Sequence, residues 1–148
     1  MAIRSESEFQ VALRALPATK QRMVAARFAE HVLGLCTDPR VAAAIQAAQR
    51  SDVSDAELTA LRQAAKSANV DSYTQCGKEA DWLGQAGHFV AEAAIACVAP
   101  AGSTENLAWE AAMRARMART CEAIAIGRGT ENNEAQEQYR LLDEYLHS

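Results

Sequence analysis

Four side chains between Asp81 and Glu92 could do chemistry together. Asp81, Gln85, His88 and Glu92 are spaced by four, three and four residues, which on an α-helix stacks them along one face. Such a row offers two carboxylates, an amide and an imidazole. His88 and Glu92 stand one turn apart, so they could present two ligands to one metal ion or pass a proton between them. A complete ligand set needs a second helix. Glu30 and His31 are the available contributors, but sequence neighbours point about 100° apart on a helix, so at most one joins the row; His31 is retained as the candidate. The competing reading of the same residues is a solvated polar face with a hydrogen-bonded histidine.

Other chemical signatures are absent from the sequence. It has no G-x-S-x-G, phosphate-binding loop, dinucleotide fingerprint or H-E-x-x-H, which removes sequence support for the common motif-bearing enzymes. Di-iron helix bundles use a pair of Glu-x-x-His motifs, and this chain has one, Glu144 to His147, close to its last residue. Cys36, Cys76, Cys97 and Cys121 are widely separated with no CxxC pair, so they read as small buried hydrophobes in a reducing compartment. No metal, cofactor or catalytic residue is expected on these grounds.

The formal charge of −4 and pI near 5.4 give no general attraction to nucleic acid or an anionic membrane. Arg114, Arg116, Arg119 and Arg128 form a local basic patch, but Glu105, Glu110 and Glu122 flank it. Its natural partner is the last predicted helix, where Glu131, Glu134, Glu137, Asp143 and Glu144 stand against Arg140 alone; alternatively that acidic face is free for a basic protein. No apolar run approaches the roughly 20 residues that span a bilayer, and the first ten residues carry acids where a secretory signal would be apolar. A cytoplasmic protein is expected.

The elements that position these residues read as helices throughout. Hydrophobic residues make up 49% of the chain but aromatics only 5%, so an alanine-rich core must come from close helix contacts. Ser5 with Glu8 predicts a helix to about Leu16, ended by Pro17; Thr19 predicts the next, to Leu35. Asp38-Pro39 opens a third to Arg50, and Ser54 with Glu57 a fourth that fades near Asn69. Asp71 or Ser72 caps a fifth to Val98, Thr104 a sixth closed by Gly127 and Gly129, and Thr130 a last to His147. That last helix should dock through Ala135, Tyr139, Leu142 and Leu146. The expectation is an all-α, single-domain bundle or array of about seven antiparallel helices over residues 1–148. Within the fifth, Gly77, Ala80, Gly84, Gly87, Ala91 and Ala94 form a small-residue seam that lets a backbone approach closely, within the domain or in a homo-oligomer.

The run from Met23 to Val98 carries a recognisable order: Phe28-Ala29-Glu30-His31-Val32-Leu33, then Asp38-Pro39-Arg40 leading into Ala44-Ile45-Gln46-Ala47-Ala48. Leu61-Arg62-Gln63-Ala64-Ala65 follows, then Gly84-Gln85-Ala86-Gly87-His88 with Glu92-Ala93-Ala94. In this the chain resembles the bacterial immunity proteins of polymorphic toxin systems, an alanine-rich all-helical family; Asp38 stands where that family carries a basic residue. The resemblance implies a cytoplasmic protein that binds and blocks a cognate toxin stoichiometrically, with no catalytic residues. A helical enzyme or metal-binding protein using the His88 row, and a homo-oligomeric scaffold, are the alternatives.

Overall fold

Ser5 opens α1 (Glu6–Arg14) by accepting the Glu8 N–H at 3.2 Å, while Glu8 reaches back to the Arg4 N–H at 3.3 Å. Two amides without helical partners are satisfied in this way. The computed structural model describes residues 2–76, 81–100, 102–103 and 105–148, with backbone alone at 73–76. Among these residues the chain is all-helical, with seven α-helices and no strand.

α2 (Ala18–His31) begins directly after Pro17 with no side-chain cap, so Thr19 lies inside the helix rather than at its start. It also ends earlier than its apolar spacing predicts, because Leu33–Leu35 tightens into a 3₁₀ turn. Asp38 caps α3 (Pro39–Ala48), accepting from the Arg40 N–H at 2.9 Å with Pro39 at the first position. Ser54 accepts from the Glu57 N–H at 3.1 Å at the head of α4 (Asp55–Cys76).

The largest correction concerns α4 and α5 (Trp82–Cys97). α4 runs straight through Asp71 and Ser72, and α5 starts nine or ten residues later than those caps predict. Both cap-type residues have other uses: Ser72 Oγ donates to the Asn69 carbonyl one turn back at 3.0 Å, and Asp71 accepts from Arg40 at 2.9 Å. Hydroxyl back-bonding of this kind satisfies serine without breaking a helix.

Asn106 caps α6 (Leu107–Ala125) through the Trp109 N–H at 3.0 Å, and its amide donates to the Leu13 carbonyl at 3.1 Å, joining two helix ends. At the other end Gly127 takes φ +83, with Gly127 N–H bonded to Ile124 and Arg128 N–H to Ala123. This paired closure uses the left-handed conformation that glycine adopts without a Cβ penalty. α7 (Glu134–Leu146) starts after Thr130, where Asn132 accepts the Glu134 N–H at 3.1 Å.

One contiguous core draws side chains from all seven helices. α5 is its hub, packed most extensively on α6 and also against α2, α3 and α4. Both helices bring mostly alanines to the core: Ala91, Ala93 and Ala94 on α5 and Ala108, Ala111, Ala112, Ala115 and Ala118 on α6 are all buried. The bulk lies to one side, where the Phe9 ring meets Phe28, Trp109 and Tyr139 with centroids 5.6, 6.1 and 5.2 Å away. Such tilted contacts suit the aromatic quadrupole.

Candidate functional site

The expected row on the fifth helix divides. Asp81 is not a helical member of it but the N-cap of α5, its Oδ1 accepting the Gly84 N–H at 3.0 Å. That contact uses a carboxylate where the helix dipole favours negative charge. Gln85 is half-buried in the first turn. His88 and Glu92 do meet: Nε2 lies 3.3 Å from Glu92 Oε1, and on the other side Nδ1 lies 3.3 Å from Ser72 Oγ on α4. A hydroxyl, an imidazole and a carboxylate therefore stand in series across the α4–α5 contact. Sequence spacing supplied two of these groups; Ser72 escaped it because it sits on another helix.

The small-residue seam is resolved at Gly87. A Cβ there would stand 3.1 Å from the Leu35 carbonyl oxygen, tighter than ordinary van der Waals contact, so the 3₁₀ turn occupies this part of the seam. Gly84 lines the neighbouring cleft, and Gly77, with Ala80, lies outside the described residues. This cleft, of about 690 Å³, runs between the 3₁₀ turn with the start of α3, α4 and the first turns of α5. At its edge Leu83 is 55% exposed and Trp82, beside it in sequence, 37%. The Asp38–Arg40–Asp71 bridge spans it, with Arg40 Nη2 2.7 Å from Asp38 and 2.9 Å from Asp71. The Arg40 guanidinium holds the Asp38 carboxyl below its ordinary range.

His31 does not join this row. It closes α2 against α7, where its Nδ1 lies 2.7 Å from Glu134 Oε2 and its Nε2 3.9 Å from Glu137. Glu134 is fully buried, and its other oxygen accepts from Arg119 Nε at 2.9 Å. Arg119 turns its two terminal nitrogens to Glu122 at 2.9 Å and to the His31 carbonyl at 3.1 Å. A charge this deep is tolerable only when paired and hydrogen-bonded on several sides. The neighbouring Arg116 binds Gln138 at 2.8 Å and grips Glu6 through both terminal nitrogens. Its guanidinium lowers the Glu6 carboxyl from the ordinary value of 4.5.

α7 accordingly docks by a face rotated from the predicted one. Glu134, Gln138 and Leu142 are its buried residues, Ala135 and Tyr139 are half-buried, and Leu146 is exposed. The basic patch on α6 does turn to α7, as its charge suggests, through Arg116 and Arg119. The alternative of a free acidic face fails for most of its members. Glu134 is internal, Glu137 and Glu144 pair with Arg140, and Asp143 accepts the Ile3 N–H at 3.0 Å.

Cys97 and Cys121 are buried free thiols and Cys36 is half-buried; burial pushes all three thiols up, away from the reactive thiolate. Cys76 lies beyond the described side chains. Among the described residues no group of three or more His, Cys, Asp or Glu converges as a metal site. No helix there is long and apolar enough to cross a membrane. A comparison with family models, characterised proteins and solved structures finds no match to this chain.

Proposed function

We propose that the chain is a protein-binding module acting by stoichiometric capture and, within that class, a toxin-neutralising protein of the immunity type. The observation that carries this reading is the contrast around the α4–α5 cleft. Its ionic groups are tied to one another between α3 and α4, while Leu83 stands out at its edge with Trp82 exposed beside it in sequence. Large apolar side chains beside a hydrogen-bonded polar rim are what interface anchors look like, and tryptophan is enriched among them. The toxin assignment itself rests on the resemblance of residues 23–98.

Purified protein screened against the products of neighbouring genes should yield a one-to-one complex. Trp82→Ala combined with Leu83→Ser should weaken it by about thirtyfold or more, the scale of an interface hot spot. Absence of any complex, together with cells indifferent to deletion of the gene, would end this reading.

One observation favours a second reading, a helical enzyme or metal-binding protein. In the series Ser72, His88, Glu92, the imidazole bridges a hydroxyl and a carboxylate, an order that general-base chemistry uses. Ser72 Oγ is, however, donating its proton to the Asn69 carbonyl. Stoichiometric metal in protein prepared without chelator, lost in a folded His88→Ala variant, would favour this second reading.

A further inference from the structure

A guanidinium without a counter-charge stands in a cavity between α2 and α4. Arg62 of α4 is half-buried, as are Arg22, Arg40, Arg114, Arg116 and Arg119. Each of the others has an ion pair or donates to a backbone carbonyl. Among the described residues no acceptor reaches Arg62: its Nε is buried without a hydrogen-bond partner, and its two terminal nitrogens, also unbonded, keep accessible surface. A charge drawn partly out of water is ordinarily paired.

The cavity measures about 470 Å³, and Arg62 shares it with Arg22 of α2. Arg22 is held in place by the end of α3, its Nε donating to the Ala48 carbonyl at 3.1 Å and its Nη2 to the Arg50 carbonyl at 2.9 Å. Against these two cations the lining offers one acid, Asp55, which is exposed and lies beyond ion-pair range of both. One positive charge is therefore left over. The first residues of α2, Ala18 and Thr19, line the same space, and that helix opens without a side-chain cap, so its leading amides and dipole add to the attraction for an anion. Leu58, Ala99 and Pro100, none of them fully buried, give the remaining wall an apolar character.

We infer that this cavity is a binding site for a small organic monocarboxylate with an apolar body. The planar carboxylate matches the fork of the Arg62 guanidinium, whose terminal nitrogens have no other acceptor to give up. Its single charge equals the surplus of the lining, which a phosphate dianion would exceed. The body behind the carboxylate lies along Leu58, Ala99 and Pro100, where it displaces water from apolar surface. The cavity shares no residue with the α4–α5 cleft, so its occupancy does not depend on a protein partner.

The probes are pentanoate, its neutral analogue pentanamide, acetate and inorganic phosphate, titrated into the full chain at matched ionic strength and followed by amide NMR. Pentanoate should shift the amides of Ala18, Thr19, Arg62 and Ala99 with a Kd on the order of millimolar, as expected for a ligand of this size in an open cavity. Pentanamide, lacking the charge, should bind about tenfold more weakly or worse, since a charge-assisted hydrogen bond is roughly twice as strong as a neutral one. Acetate, lacking the apolar body, should bind severalfold more weakly. Arg62→Gln should abolish the shifts with the helical spectrum intact, while Arg62→Lys, which keeps the charge but not the fork, should retain part of the affinity. Asp55→Asn alters an exposed residue and removes the one acid of the lining, so it should tighten pentanoate binding, and it tests the charge argument even where Arg62→Gln fails to fold. Resonances that stay still, equal movement with pentanamide, tighter binding of phosphate than of pentanoate, or unchanged binding in a folded Arg62→Gln variant would each overturn the site.

Discussion

Glu134 shows how much of this protein's specification rests on single polar residues. It is buried between Arg119 and His31, which lie 15 and 103 residues away in the chain. Replacing it with alanine leaves the guanidinium of Arg119 short of a partner, so urea denaturation should show a loss of about 3–5 kcal/mol, the usual cost of breaking a buried pair. The Glu6–Arg116 pair is the contrasting case. Glu6 has a lowered folded pKa, so the pair's contribution is present above pH 4.5 and is lost as pH falls through the folded value. Because the Glu6 side chain is 47% exposed, solvent screens the pair and Glu6→Gln should cost less than about 1 kcal/mol at pH 7. The acid limb of the stability curve should flatten in that variant. At Gly87 the added Cβ meets a backbone carbonyl 3.1 Å away, and backbone cannot rotate aside. Gly87→Ala should therefore destabilise by about 1 kcal/mol, the crowding outweighing the better helix propensity; a stabilised variant would show that the 3₁₀ turn yields.

Among the elements, α7 is held differently from the rest. Its buried set is two polar residues and one leucine, whereas α2 and α6 bury mostly apolar side chains. Elements with little buried apolar contact open locally before the whole. Amide exchange should accordingly show α7 less protected than α5 and α6, with Gln138→Ala lowering its protection further by removing the bridge from Arg116 to the Ala112 carbonyl. Equal protection across all helices would refute this. The helix count and the caps at Ser5, Asp38 and Ser54 were legible in the sequence because capping is local: donor and acceptor lie two or three residues apart. The boundary at Trp82 was not, since Asp71 and Ser72 have cap chemistry but use it inside α4, and Asp81 was legible only as a carboxylate, not as the cap. The pairing of His88 with Glu92 is an i, i+4 relation and could be read; its Ser72 neighbour and the burial of Glu134 depend on which helices meet, which spacing along one helix does not encode.

At the scale of the whole molecule, one core reaches every helix and α5 touches four of the others. Unfolding should be a single cooperative transition, with calorimetric and van't Hoff enthalpies equal. Phe28→Ala, which empties a fully buried ring site, should cost about 3–5 kcal/mol and shift the whole transition rather than split it. The buried alanines of α5 and α6 have the opposite vulnerability. Ala94, Ala111 and Ala115 have almost nothing to trim, so ordinary truncation hardly exists there; what such a seam resists is growth. In a saturation screen these sites should accept glycine or serine at modest loss and reject valine and leucine outright, while Phe9 and Phe28 behave in reverse. Evolution along that seam is confined to the smallest residues, and novelty must come from the perimeter.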